Sequence, residues 1–239
     1  MNNILVIAAH PDDELLGVGA TVRKLTDEGK TVRAVIMAEG ITSRAETRDK
    51  ADGSMLEELR TEARRAAEIT GYNSIDFCGL PDNRMDSLDL LDIIKLVRNY
   101  VDKFKPDTIF THHHGDLNID HRLTCEAVLT ATRPMKGETV RSIFAFETPS
   151  STEWEFSYRE PFRPNIFVDV TNTMEAKIKG MACYKSESTS YPHPRSPEAL
   201  RALAQYRGSC AGYEMAEGFE LLRMCIDNTS TWGGIGQID

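Results

Sequence analysis

Along residues 4–133, apolar positions alternate between two kinds of pattern. Ile4 to Ala9 is a short, continuous apolar run rich in β-branched residues, the pattern of a buried strand, and Thr31 to Ala38 reads as a second buried strand. Between them, Leu15, Leu16, Val18, Val22 and Leu25 recur at helical spacing, which predicts a helix over Glu14 to Glu28 with Gly29 as its stop. Strand, helix and strand within forty residues make a βαβ unit, and such a unit predicts a parallel sheet. The alternation continues with a helix over Ser54 to Thr70, a strand over Ser74 to Cys78, a helix over Leu88 to Phe104, a strand over Thr108 to His112 and a helix over Asp120 to Arg133. Glu39 to Gly53, Gly79 to Arg84 and His113 to Asn118 are polar, lack periodicity and read as loops.

After Pro134 the alternation weakens. Ser142 to Glu147 and Asn165 to Val170 read as strands, and Met174 to Lys185 and Pro197 to Glu217 as helices. A loop rich in proline and serine, Ser186 to Ser196, separates those helices, and the tail after Asn228 reads as poorly ordered or packed on a neighbour. No repeat or linker divides the chain. The pattern predicts one domain over residues 1–239, a Rossmann-like, three-layer α/β sandwich with a mostly parallel sheet.

Composition narrows the function more than the fold. With 41% hydrophobic and 27% charged residues, the chain is an ordinary globular one. Its net charge of −9 argues against nucleic acid as a partner, yet leaves room for a phosphorylated substrate held by local arginines. Five cysteines without a Cys-x-x-Cys pair argue against a disulfide framework and against a thiolate zinc cluster. The N-terminus lacks a basic signal region, and no apolar stretch nears the roughly 20 residues of a membrane span. The expectation is a cytoplasmic protein without a membrane span.

Two polar clusters fall directly after predicted strands, where open α/β sheets collect their functional residues. The first is Ala9-His10-Pro11-Asp12-Asp13-Glu14, and the second runs from His112 through His113, His114, Asp116, Asn118 and Asp120 to His121. A catalytic zinc takes three nitrogen or oxygen ligands and keeps a position open for water. One histidine and one aspartate of the first cluster with one histidine of the second make such a set. The adjacent Asp12 and Asp13 supply both a ligand and a general base. Helix capping competes for the same aspartates, Asp12 or Asp13 for the first helix and Asp120 for the one beginning near His121. Two such turns at strand ends of one sheet favour the metal.

The His-Pro-Asp-Asp-Glu turn, followed by Asp120-His121-Arg122 after a histidine-rich loop, resembles the zinc-dependent N-acetylglucosaminyl de-N-acetylases, the PIG-L or LmbE-like family. The likeness runs over residues 1–135, and residues 136–239 form the variable, substrate-side part. It implies that His10, Asp13 and His121 bind one zinc ion per chain, that Asp12 is the general base and that Asp120 orients a histidine beside the site. It also implies an amino-sugar substrate, acetate as a product and assembly into a homo-oligomer. A His-Asp-His set accepts other divalent transition metals as well.

One position departs from the family. Many members carry a histidine where this chain has Asn118. An amide donates a hydrogen bond to an oxyanion but transfers no proton at neutral pH. Proton delivery to the leaving amine then falls to Asp12, or to His113 or His114. Further substrate contacts are expected from Asp82 in the loop after the third strand, from Arg44, and from His193 and Arg195 in a proline-stiffened loop. Arg207, in an apolar helix, reads as half of a structural ion pair.

Three rivals are weighed against this reading. A nucleotide-dependent Rossmann enzyme is disfavoured, because the first strand leads into carboxylates rather than a glycine-rich turn. A non-catalytic metal or sugar binder need not keep a base such as Asp12. An amidase of the same family acting on another amide differs only in substrate.

Overall fold

The computed structural model describes residues 1–42 and 53–226. Strands β1 (Asn3–Ala8), β2 (Thr31–Ala38), β3 (Ser74–Leu80), β4 (Thr108–His112), β5 (Ser142–Phe146), β6 (Ile166–Asp169) and β7 (Ala216–Met224) form one sheet in the order β3-β2-β1-β4-β5-β7-β6. The first five are mutually parallel, whereas β7 runs antiparallel to both β5 and β6. The order reverses between β1 and β4, so the loops after these two strands open into the same crevice.

Helices cover both faces. Along β1, Ile4, Val6 and Ala8 pack with Val18 and Val22 of α1 (Asp13–Asp27), while Leu5 and Ile7 pack with α3 (Leu90–Phe104) and α4 (Ile119–Ala131) on the opposite face. Side chains alternate across a strand, so a run that is apolar throughout is buried on both sides. α2 (Gly53–Thr70), α5 (Met174–Met181) and α6 (Pro197–Ser209) complete the α1 side through Leu59, Ala63, Met174, Met181 and Leu200. A buried ion pair pins α1 from the C-terminal part of the chain. Lys177 Nζ donates to the Leu16 carbonyl and to Glu217 Oε1, both at 2.6 Å. Glu217 accepts the Ala20 and Thr21 amides at 3.3 and 2.7 Å. Beside that contact, Gly17 has no side chain because a Cβ would lie 2.1 Å from the Phe146 ring.

The C-terminal part departs from the sequence reading. The helix expected over Pro197 to Glu217 ends at Ser209, and Ala216–Met224 is a strand. The chain folds back over Gly208, where a Cβ would stand 2.7 Å from the Tyr213 carbonyl oxygen, and Gly212 takes φ +78 in the turn. β7 lies between β5 and β6, so its Phe219 is buried and no half-buried alternation marks it in the sequence. α5 also stops earlier than expected, at Met181 rather than Lys185. The tail after Asn228 and most of the loop from Glu39 to Gly53 lie outside the described residues. Among the described residues, no helix is long and apolar enough to cross a membrane.

Candidate metal centre

The turn after β1 brings its polar side chains inward. Asp12 adopts φ 103, a left-handed backbone that costs a non-glycine residue energy and persists only where the surroundings hold it. Its amide donates to Glu14 Oε2 at 2.9 Å, and its carbonyl accepts the Leu15 and Leu16 amides at 3.0 and 2.8 Å. Tyr184 in turn donates to Glu14 Oε1 at 2.5 Å. Asp12 therefore precedes α1 without capping it through its side chain. The cap of α4 is Asn118, whose Oδ1 accepts the Asp120 amide at 2.8 Å. Both aspartates are thus free of the capping role that competed for them.

His10 Nδ1, Asp13 Oδ2 and His121 Nε2 form a near-equilateral triangle. The two imidazole nitrogens stand 3.2 Å from the carboxylate oxygen and 3.3 Å from each other. Ligand atoms bonded at about 2.0–2.1 Å in a tetrahedral zinc site are separated by about 3.3–3.4 Å. The remaining nitrogen of each ring meets another carboxylate. His10 Nε2 lies 3.0 Å from Asp120 Oδ2, and His121 Nδ1 lies 3.0 Å from Asp116 Oδ1. The His10–Asp120 hydrogen bond places that ring's hydrogen on Nε2 and turns its Nδ1 lone pair to the centre, as outer carboxylates do for metal-ligating histidines, while Asp116 stands beside His121 Nδ1 as a charge neighbour without a hydrogen bond to it. The donor set fits a divalent transition metal.

The outer carboxylates are themselves anchored. Asp120 accepts the Asn83 and Met85 amides at 2.7 and 3.0 Å. Asp116 accepts from Ser151, from Thr152 at 2.6 Å and from the Asn118 amide at 2.8 Å. Electrostatics follow the geometry. Burial raises the Asp13 carboxyl, but His121 and His112 outweigh it and hold the pKa well below the usual range. Burial opposes a charge on His121, yet Asp13 and Asp116 hold its pKa up at about 9. Burial drives the Asp12 carboxyl well above the usual carboxylate range, against the pull of Arg195 and with the push of Asp13.

His112 supports the centre from below. Its Nε2 accepts the Ala9 amide at 2.8 Å, which leaves the hydrogen on Nδ1, 3.2 Å from Thr148 Oγ1. Its ring stacks on His121 with centroids 3.9 Å apart, and burial keeps its pKa well below the usual value.

A polar cavity of about 160 Å³ opens over the triangle, lined among others by Asp12, Asp82, Asn83, Asn118, Glu187 and Arg195. Arg195 reaches Asp12 directly, with Nη1 at 2.6 Å from Oδ2, and also binds Glu187 at 3.0 Å and Ser150 at 2.7 Å. Asp82 Oδ1 lies 3.3 Å from His10 Nε2 and accepts from Asn83 at 3.0 Å. Asn118 spends its Nδ2 on Asn83 Oδ1 at 2.8 Å. His193 is absent from the cavity wall; its Nδ1 accepts the Arg195 amide at 3.2 Å and its ring meets Trp154 edge-on. His113 and His114 do not line the cavity either, for both partner Glu160, and His113 also meets Glu220. Arg44 lies outside the described residues. Arg207 forms the ion pair expected of it, with Glu147 at 2.6 and 2.8 Å.

Glu14, Asp116, Tyr184 and Glu187 belong to this constellation without having been singled out by sequence. For Asp116 a signal existed, since it stands in the same histidine-rich turn as Asp120. Nothing local marks Tyr184 or Glu187, which join the site only through tertiary packing.

The family model described as PIG-L, GlcNAc-PI de-N-acetylase, matches residues 5–132, more than half of the 239-residue chain. A diacetylchitobiose deacetylase of Thermococcus kodakarensis is 29% identical over 229 residues, which cover 93% of this chain and 84% of that protein. Among solved structures, the N,N'-diacetylchitobiose deacetylase of Pyrococcus horikoshii superposes with a TM-score of 0.72 at 23% identity, covering 92% of this chain and 83% of that one. A 4-carboxy-2-hydroxymuconate hydratase of Pseudomonas putida superposes equally well, with a TM-score of 0.74 at 21% identity, covering 97% and 100%. Likeness at that level describes the fold; a deacetylase and a hydratase share it.

Proposed function

The chain belongs to the PIG-L, GlcNAc-PI de-N-acetylase family, and from that premise we propose that it is a zinc-dependent hydrolase that removes the acetyl group from an N-acetylglucosamine-type sugar. The observation that carries this reading is the triangle of His10, Asp13 and His121, with the Asp12 carboxylate beside it on the cavity wall. The Thermococcus relative that aligns with 93% of this chain is a diacetylchitobiose deacetylase.

When bound by His10, Asp13 and His121, the metal supplies polarisation of the amide carbonyl and a more acidic water. Asp12 takes a proton from the attacking water as its oxygen bonds to the carbonyl carbon. The same carboxyl then delivers that proton to the nitrogen as the carbon–nitrogen bond breaks, giving acetate and the amine. Burial and the neighbouring Asp13 raise its pKa above the usual carboxylate range, which makes it a stronger base than an exposed carboxylate. Asp120 holds the His10 ring in orientation, and Asp116 stands beside His121 as a charge neighbour. Arg195 fixes the Asp12 carboxylate, and Asp82 and Asn118 offer polar contacts to sugar hydroxyls along the wall.

The test is acetate release by metal-stripped protein, with and without added zinc, from N-acetylglucosamine, diacetylchitobiose and UDP-N-acetylglucosamine. Zinc-dependent acetate from one of them supports the reading, and the preferred sugar defines the substrate class. Zinc uptake at the triangle without acetate from any N-acetylated sugar overturns it and favours other chemistry on this fold.

A further inference from the structure

Away from the cavity, a second group of metal-type donors comes together where β4 leads into its loop beside β7. His113, His114 and Glu220 each place a ligating atom within 4.8 Å of the other two. The His113 ring is buried, and its Nε2 lies 2.7 Å from the Glu160 carbonyl oxygen. A carbonyl only accepts, so this nitrogen carries the hydrogen. In the neutral ring Nδ1 is then a bare lone pair, and it faces Glu220 Oε2 at 2.8 Å. Two electron-rich atoms that close need a proton shared along the contact, which Glu220 and the Glu160 carbonyl favour against burial by raising the His113 pKa, or a metal ion bound to both from the side with the atoms moved slightly apart.

The arrangement is braced on every side. Glu220 Oε1 accepts the Arg163 amide, which leaves Oε2 for His113. Gly115 lets the Glu160 carbonyl reach the ring, since a Cβ there would lie 2.0 Å from that oxygen and 2.6 Å from His113 Nε2. The Glu160 carboxylate stands 3.2 Å from His114 Nε2, at the solvent side. A backbone carbonyl on the far nitrogen is the arrangement that aims a metal-ligating histidine.

We infer that His113 Nδ1, His114 and Glu220 Oε2 hold a second divalent transition-metal ion, separate from the one assigned to His10, Asp13 and His121. Two imidazoles and a carboxylate match zinc and its neighbours rather than magnesium or calcium. His114 is 43% exposed, so the ion enters and leaves from solvent without passing through the cavity. Bound there, it ties the turn that carries Asp116 to β7, across more than a hundred residues of sequence. A proton on Nδ1, making an imidazolium–carboxylate pair, is the rival occupant.

Equilibrium dialysis of the full, metal-stripped chain against zinc chloride separates the two. The wild type is expected to take up two equivalents. His114→Ala and Glu220→Gln should each fall to one, His121→Ala should also fall to one, and the His114→Ala/His121→Ala double variant to none. His114 is exposed and Glu220→Gln keeps side-chain volume, so the two routes check each other if one variant folds poorly. A wild type that binds a single equivalent, lost in His121→Ala, overturns the second site and leaves the first standing. Two equivalents retained in both His114→Ala and Glu220→Gln overturn it as well. A single equivalent lost in His114→Ala but kept in His121→Ala would retain this site and remove the first.

Discussion

Residues 1–146 and residues 147–226 build the cavity by different means. In the first part five parallel strands run to a common edge, and His10, Asp12, Asp13, Asp82, Asp116, Asp120 and His121 all sit in or just after the loops leaving it. The second part contributes no atom to the triangle of His10, Asp13 and His121. It supplies the braces instead: Arg195 on Asp12, Tyr184 on Glu14, Ser151 and Thr152 on Asp116, and the Lys177–Glu217 pair on α1. The identity of the candidate ligands is thus a local property of two turns. Ligand geometry is imposed by residues far away in sequence, because a site works only when its supporting groups hold it within a fraction of an ångström.

That division predicts two kinds of failure. The largest effect should come from His121→Ala, which removes one vertex of the triangle; acetate release should fall below detection and one equivalent of metal should be lost on dialysis. Retention of both would move the centre elsewhere. Asp12→Asn should keep the metal and lower kcat by about 10²–10⁴-fold, the range for loss of a general base; an unchanged kcat would remove Asp12 from the chemistry.

Variants in the bracing part should cost stability first. Lys177→Met leaves the buried Glu217 carboxylate unpaired and should lower the unfolding free energy by about 3–5 kcal/mol in urea titrations. A loss under about 1 kcal/mol would mean that the pair does not pin α1. Glu14 tests the same idea through pH. Burial raises its pKa from 4.5 to about 7 in the folded chain. Its contribution to stability is therefore full below pH 4.5 and is lost as the pH climbs through 7, by about 3 kcal/mol in the metal-free protein. The difference between wild-type and Glu14→Gln stability curves should show that slope between these pH values; a flat difference would contradict it.

The smallest effect is expected at Arg195. It pulls the Asp12 pKa down, so Arg195→Ala should move the acidic limb of the rate profile to higher pH. Below that limb the rate should fall while the metal content stays constant. A shift to lower pH would show that Arg195 does not act through Asp12.

Legibility in the sequence follows the same boundary. The first five strands and four helices stand out because short, mainly apolar strand segments alternate with longer helical segments. His10, Asp13 and His121 stand out because two unusual polar turns interrupt that pattern at strand ends. β7 does not stand out, since Glu217, Gly218 and Glu220 break any strand-like alternation and their reasons for being there lie in α1, Pro164 and His113. His113 and His193 look like cavity residues by position, yet their partners draw them elsewhere.

What the sequence determined by itself was the parallel α/β frame and the chemical types gathered at its edge, because both depend on periodicity and spacing within a few turns of chain. The tertiary structure decided which nitrogen of each histidine faces the centre, that Asp116 backs His121, and that Arg195 rests on Asp12. Those outcomes depend on atoms brought together from residues up to 183 positions apart, and no local pattern encodes a contact at that range.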